Sequence, residues 1–128
     1  MPASDLPQGF CGFPSPAADH TEDRLSLDAL VVKRPAATFF MRVSGGSMVE
    51  AGIEDGDLLV VDRSLTAREG DIVVACISDG FAVKRLSKAP DGWALTSQGS
   101  GPTIKIDSDI GVEIWGVVSW SFKQHTNR

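Results

Sequence analysis

Cysteine and histidine are scarce in this chain: Cys11 and Cys76 lie far apart, and His20 and His125 each stand alone. Metal sites draw on paired Cys or His at short spacing, so no metal and no cofactor is expected. Both histidines read as plain surface residues, because a neutral His becomes a ligand in company. No apolar run approaches the roughly 20 residues that a membrane span needs. The start, Met1-Pro-Ala-Ser-Asp-Leu-Pro7, lacks the basic beginning and apolar stretch of a secretion signal. The expected setting is the cytoplasm, whose reducing conditions suit this cysteine usage. Clustered basic residues are missing too. Twelve Lys and Arg are scattered among seventeen Asp and Glu, for a net charge of −5. Neutralising phosphates takes clustered cations, so direct nucleic-acid binding is not expected. Near DNA, such a chain would be brought by another protein.

What is present suits one globular domain. The 128 residues, 42% hydrophobic and 23% charged, are enough for one core and too few for two. Residues 1–19 differ from the rest. Pro2, Pro7, Pro14 and Pro16, with Gly9 and Gly12, leave no run in which a helix or paired strand propagates. This part reads as an extended arm, and 20–128 as the folded domain. Ser26–Val32 suits a short helix ended by Pro35, or equally a strand. From Ala37 the pattern is strand-like, over 37–43, 57–62, 71–78, 81–86, 92–97, 103–106 and 112–121. These runs are short, rich in Val, Ile, Phe and Trp, and separated by turn residues. Asp79-Gly80 between two apolar runs is a strong hairpin signal; Asp55-Gly56 and Asp91-Gly92 mark weaker ones. The expected fold is mainly β, of short folded-over strands with one or two short helices.

Two segments carry candidate chemistry. Ser44-Gly45-Gly46-Ser47-Met48 follows an apolar strand and precedes Val49–Ile53, which suits one helical turn. Two glycines before a serine let the backbone bend tightly and turn amides toward one point, as an oxyanion hole requires. A flexible Ser/Gly turn is the other reading. A nucleophilic serine needs a base, and two isolated histidines near the chain ends serve poorly. A lysine serves if burial lowers its pKa from about 10.4. Lys84 has that setting in Phe81-Ala-Val-Lys-Arg-Leu86, the return strand of the 79–80 hairpin. Alternation places Ala82, Lys84 and Leu86 on one face and Arg85 on the other. The alternative is a lysine guarding an edge strand against aggregation.

Arm, serine loop and lysine strand together resemble UmuD-like proteins and, more distantly, the LexA protease domain. The likeness rests on Cys11–Asp19, Ser44–Met48, Gly52–Asp62, Gly70–Val74, Phe81–Leu86 and Gly116–Val118, in order from about residue 11 to about residue 123. Spacings agree as well, 36 residues from Cys11 to Ser47 and 37 from Ser47 to Lys84. The resemblance implies a LexA/UmuD-type domain that cuts itself. Ser47 would be the nucleophile, Lys84 the base, the backbone amides of Gly46 and Ser47 the oxyanion hole, and Cys11-Gly12 the bond cut. It further implies a homodimer joining a UmuC-like Y-family polymerase for translesion synthesis in SOS mutagenesis, with RecA on single-stranded DNA stimulating the cut.

The arm chemistry agrees with that implication. Proteases bind targets extended; Pro14 and Pro16 oppose helix formation, and Gly12 lets the backbone approach closely. Three features depart from the family pattern: a short arm before Cys11, Gly46 where a larger residue can stand, and the bulk of Trp93, Trp115 and Trp120, expected in core or dimer packing. Rivals are a LexA-like regulator lacking a DNA-binding domain, a signal peptidase, and a non-catalytic dimeric binding module. With ten residues before Cys11 no helix-turn-helix is expected, and without an apolar span no signal peptidase.

Overall fold

The structure is a computed structural model that describes residues 26–78, 80–99, 101–106 and 111–128. Cys11, Gly12 and the rest of the arm lie outside the described residues.

Helix α1 spans Leu27–Val31, and Ser26 caps it by accepting a hydrogen bond from the Ala29 amide. Helix therefore wins over strand for this segment, and the chain leaves it before Pro35. A 3-10 turn at Pro35–Ala37 then leads into the sheet. The strands are β1 (Thr38–Arg42), β2 (Leu58–Asp62), β3 (Ile72–Ile77), β4 (Gly80–Ala89), β5 (Gly92–Thr96), β6 (Ile104–Ile106) and β7 (Val112–Phe122). Each falls on an expected run. The fold is mainly β, as anticipated.

All pairings are antiparallel, in the order β1-β2-β7-β3-β4-β5-β6. Strands β3 to β6 form a simple meander, whereas β7 inserts between β2 and β3. The β3–β4 hairpin closes tightly, with Ile77 opposite Gly80. Two register shifts mark β7, one opposite Val60/Val61 and one opposite Val74/Ala75. Such bulges bend a strand and deepen its twist. Val73 and Val74 point to opposite faces of β3, yet they are 0% and 1% exposed. The sheet is therefore covered on both sides.

Each side has its own apolar cluster. Val43, Met48, Ile53, Leu59, Val61 and Val74 make one. Val73, Ala75, Leu86, Leu95 and Val117 make the other. Burying each such side chain contributes about 1.5–3 kcal/mol. Met48, at 1% exposure, follows Ser47 directly and anchors the serine loop in the first cluster. Leu86, two residues after Lys84, anchors the lysine strand in the second.

Trp115 packs partly buried between Phe39 and Phe81, with the Arg63 guanidinium over its ring. Trp93 and Trp120 are 38% and 40% exposed. Of the expected core or dimer packing, the core form holds for Trp115; the other two lie on outward positions of their strands.

Candidate active site

Ser47 lies in the loop between β1 and a 3-10 turn at Val49–Ala51. Three contacts shape that loop. Gly45 has a φ of +95°, a left-handed bend that favours glycine, and its amide donates to Asp55 Oδ1 at 2.8 Å. The Ser47 carbonyl accepts from the Gln98 amide at 2.7 Å, and the Gln98 carbonyl accepts from the Glu50 amide at 2.7 Å. The turn that presents Ser47 is thus clasped from both sides of residue 98. Among the described residues, no protein acceptor takes the amide hydrogens of Gly46 or Ser47. These are the two amides expected to meet an oxyanion.

Lys84 sits in β4 between β3 and β5. It is 5% exposed, among the few buried charged residues. Leaving water costs the charged form, so burial pulls the Lys84 pKa below the ordinary lysine value. No carboxylate among the described residues pairs with it to oppose that shift. As alternation requires, Arg85 turns away and donates to the Gly70 carbonyl. The reading of Lys84 as an exposed edge lysine does not fit a strand paired on both sides.

Ser47 and Lys84 line one cleft of about 270 Å³, together with Met41, Arg42, Phe81 and Val83. Within it their side chains are not hydrogen-bonded to each other. Ser47 Oγ donates to the Val83 carbonyl at 3.2 Å, one residue short of the lysine. Lys84 Nζ donates to Ser97 Oγ at 2.6 Å and to the Pro102 carbonyl at 3.4 Å. Hydrogen bonds in a site without substrate are commonly looser than those with substrate bound.

Sequence reasoning passed over Ser97. Its signal was the hairpin after Lys84. Ala89 pairs with Gly92 and Arg85 with Thr96, so one further step of the register sets Lys84 opposite Ser97. Counting from the Asp91-Gly92 turn would have found it.

The Peptidase S24-like family profile matches residues 9–119, which include the serine loop and the lysine strand. This chain belongs to that family. Within the S24-like proteins it is 50% identical to protein MucA of Salmonella typhimurium over 115 residues, 89% of this chain and 79% of MucA. It is 47% identical to protein ImpA of Escherichia coli over 108 residues, 84% of this chain and 74% of ImpA. The LexA repressor of Bacillus mycoides (strain KBAB4) is 43% identical over 90 residues, 70% of this chain and 44% of the repressor. The resemblance to UmuD-like and LexA proteins is borne out. A peptidase family with this mainly antiparallel β domain is the shared ground, and among the described residues no helix is long and apolar enough to cross a membrane.

Proposed function

We propose that the chain is a self-cleaving serine peptidase in which Ser47 attacks the Cys11-Gly12 bond and Lys84 is the general base. The observation that carries this reading is the shared cleft: a serine on a clasped turn lines it with a buried lysine that no carboxylate among the described residues pairs with. Burial favours its neutral form, and a neutral amine can accept the hydroxyl proton as Ser47 Oγ bonds to the Cys11 carbonyl carbon. The backbone amides of Gly46 and Ser47 would receive the oxyanion. The resulting ammonium returns its proton to the departing Gly12 nitrogen, and water then releases the acyl group from Ser47. The shortened chain, Gly12 to Arg128, would act as a homodimer with a UmuC-like Y-family polymerase in SOS mutagenesis, after a cut stimulated by RecA on single-stranded DNA. The ordered likeness to UmuD-like proteins supports that assignment, and a cytoplasmic setting goes with it.

Incubating the purified chain at mildly alkaline pH tests the chemistry. The expected product is a 117-residue chain with Gly12 at its N-terminus, read by mass. The rate should rise with pH through the lowered Lys84 pKa and then level off. Ser47→Ala, Lys84→Ala and Lys84→Arg should each reduce it at least about 100-fold, since guanidinium stays protonated and alanine accepts nothing. Cleavage by Lys84→Ala at the parent rate would sink the dyad.

A further inference from the structure

An amine nitrogen has four directions, and the cleft settles three of them for Lys84. One is the bond to its own Cε. Two more are N–H directions, aimed at Ser97 Oγ, 2.6 Å away, and at the Pro102 carbonyl, 3.4 Å away. The fourth is left for exchange with a proton in the cleft. Ser97 is itself oriented for this part. Its hydroxyl donates to the Pro102 carbonyl at 3.3 Å, which leaves its lone pairs facing the lysine. A neutral amine held by two acceptors keeps its own lone pair free, as a base must.

The same segment holds the nucleophile. Gln98, the next residue, clasps the Ser47 turn through both backbone groups. A Cβ on Gly99 would lie 2.4 Å from the Gly46 carbonyl oxygen and 2.8 Å from a Val49 methyl. Only glycine permits that approach, so residues 97–99 and the serine loop pack backbone to backbone. Gly101 is as close on the other side: a Cβ there would meet Ser97 Oγ at 2.8 Å and Lys84 Nζ at 3.3 Å.

From this geometry we infer that Ser97 is a positioning residue of the proposed reaction, orienting the Lys84 amine while its own segment holds the Ser47 turn. The inference rests on the dyad reading and adds a third side chain to it. Among the described residues, few charges bear on the lysine. Arg42, which also lines the cleft, is engaged by the Gly56 carbonyl, and Arg85 points to the other face of β4. Val73 on β3 and Ser97, just past the end of β5, are the lysine's neighbours there, and neither is charged. A hydroxyl acceptor favours ammonium over amine, so its removal should lower the Lys84 pKa further.

The test compares Ser97→Ala and Ser97→Thr with the parent in cleavage rate against pH. Beside it, the Lys84 amine is titrated by carbon NMR in lysine-labelled Ser47→Ala protein, with and without Ser97→Ala. Expected for Ser97→Ala is a plateau about 10- to 100-fold lower, with the rate midpoint and the titration both displaced to lower pH. Ser97→Thr keeps the hydroxyl and should return all three to within a few-fold of the parent. An unchanged plateau, midpoint and titration in Ser97→Ala would overturn the inference. So would a lower plateau with neither pH readout moved, because that marks a merely structural role. The dyad reading fails separately, through parent-rate cleavage by Lys84→Ala; the NMR titration judges the Ser97 contact in either case.

Discussion

The serine loop and the lysine strand deliver their side chains to one cleft by opposite means. Ser47 is placed by polar contacts: Asp55 on the Gly45 amide, Gln98 on the Ser47 carbonyl, the Val83 carbonyl on its hydroxyl. The turn beneath the loop is likewise polar. Asp57 caps the Glu54 amide and meets Lys123 at 2.8 Å, while its carbonyl accepts from the Val43 amide and the Gly56 amide donates to the Val43 carbonyl. Lys84 is placed by apolar packing, on a strand paired at both edges and pinned by Leu86 and Leu95. The contrast has a chemical sense. A base must stay dry to remain neutral, whereas a nucleophile must turn within its site. Hydrophobic burial serves the first, and a hydrogen-bonded loop serves the second.

Energetics should separate the two regions. The largest expected effect belongs to the strand side. Leu95→Ala removes a fully buried side chain and should cost about 2–5 kcal/mol in urea unfolding. A loss below about 1 kcal/mol would mean that the lysine wall is not the rigid half. Next comes the lysine itself. Its lowered pKa means that the unfolded chain binds more protons between the folded value and about 10.4, so the lysine's contribution to stability rises with pH across that window. Anywhere under the unfolded value of about 10.4, neutral pH included, the lysine is a burden. Lys84→Met should therefore stabilise the fold at neutral pH by about 0.5–2 kcal/mol while ending cleavage. A destabilised Lys84→Met would show that the amine contributes more through its two acceptors than burial costs it.

On the serine side the expected effects are smaller and kinetic. Asp55→Ala loses the bond to the Gly45 amide at an exposed position, and should change stability by less than about 1 kcal/mol. Cleavage should nonetheless slow several-fold, because the turn that aims Ser47 loosens. Equal cleavage by parent and Asp55→Ala would remove Asp55 from the account of the loop. The smallest effect appears only in acid. Burial alone would raise the Asp57 pKa, but the Glu54 amide and Lys123 outweigh it and hold the carboxyl below its usual value. Its stabilisation is complete above the unfolded value of about 3.9 and is lost as pH falls through the lower folded value. Amide exchange in the loop at 43–57 should quicken in that window before exchange in β3 and β4 does. Simultaneous loosening of both would dissolve the distinction between them.

Short runs rich in Val, Ile, Phe and Trp, bounded by turn residues, located every described strand, because composition and side-chain alternation are local imprints. Lys84's face, opposite Arg85, was legible for the same reason. The helix at Leu27–Val31 was ambiguous, since five residues show too little period, and the Ser26 cap settled it. Exposure of Trp93 and Trp120 was not legible: bulk suggests burial, but each strand's outward side is set by its partners.

Composition, alternation and the order of short motifs were sufficient for the mainly β class, the family and the pairing of one serine with one lysine as candidates. Tertiary structure decided what joins them. Insertion of β7 between β2 and β3 depends on residues far apart in the chain, as in Leu58 with Phe122 and Ile77 with Val112, and no local pattern encodes such a pairing. Ser97 reaches Lys84 through hairpin register, and Gln98 reaches the serine turn through backbone groups that every residue possesses. The side chains bearing the proposed chemistry are distinctive in sequence; the hydrogen bonds that aim them are not, because backbone amides and carbonyls carry no residue identity.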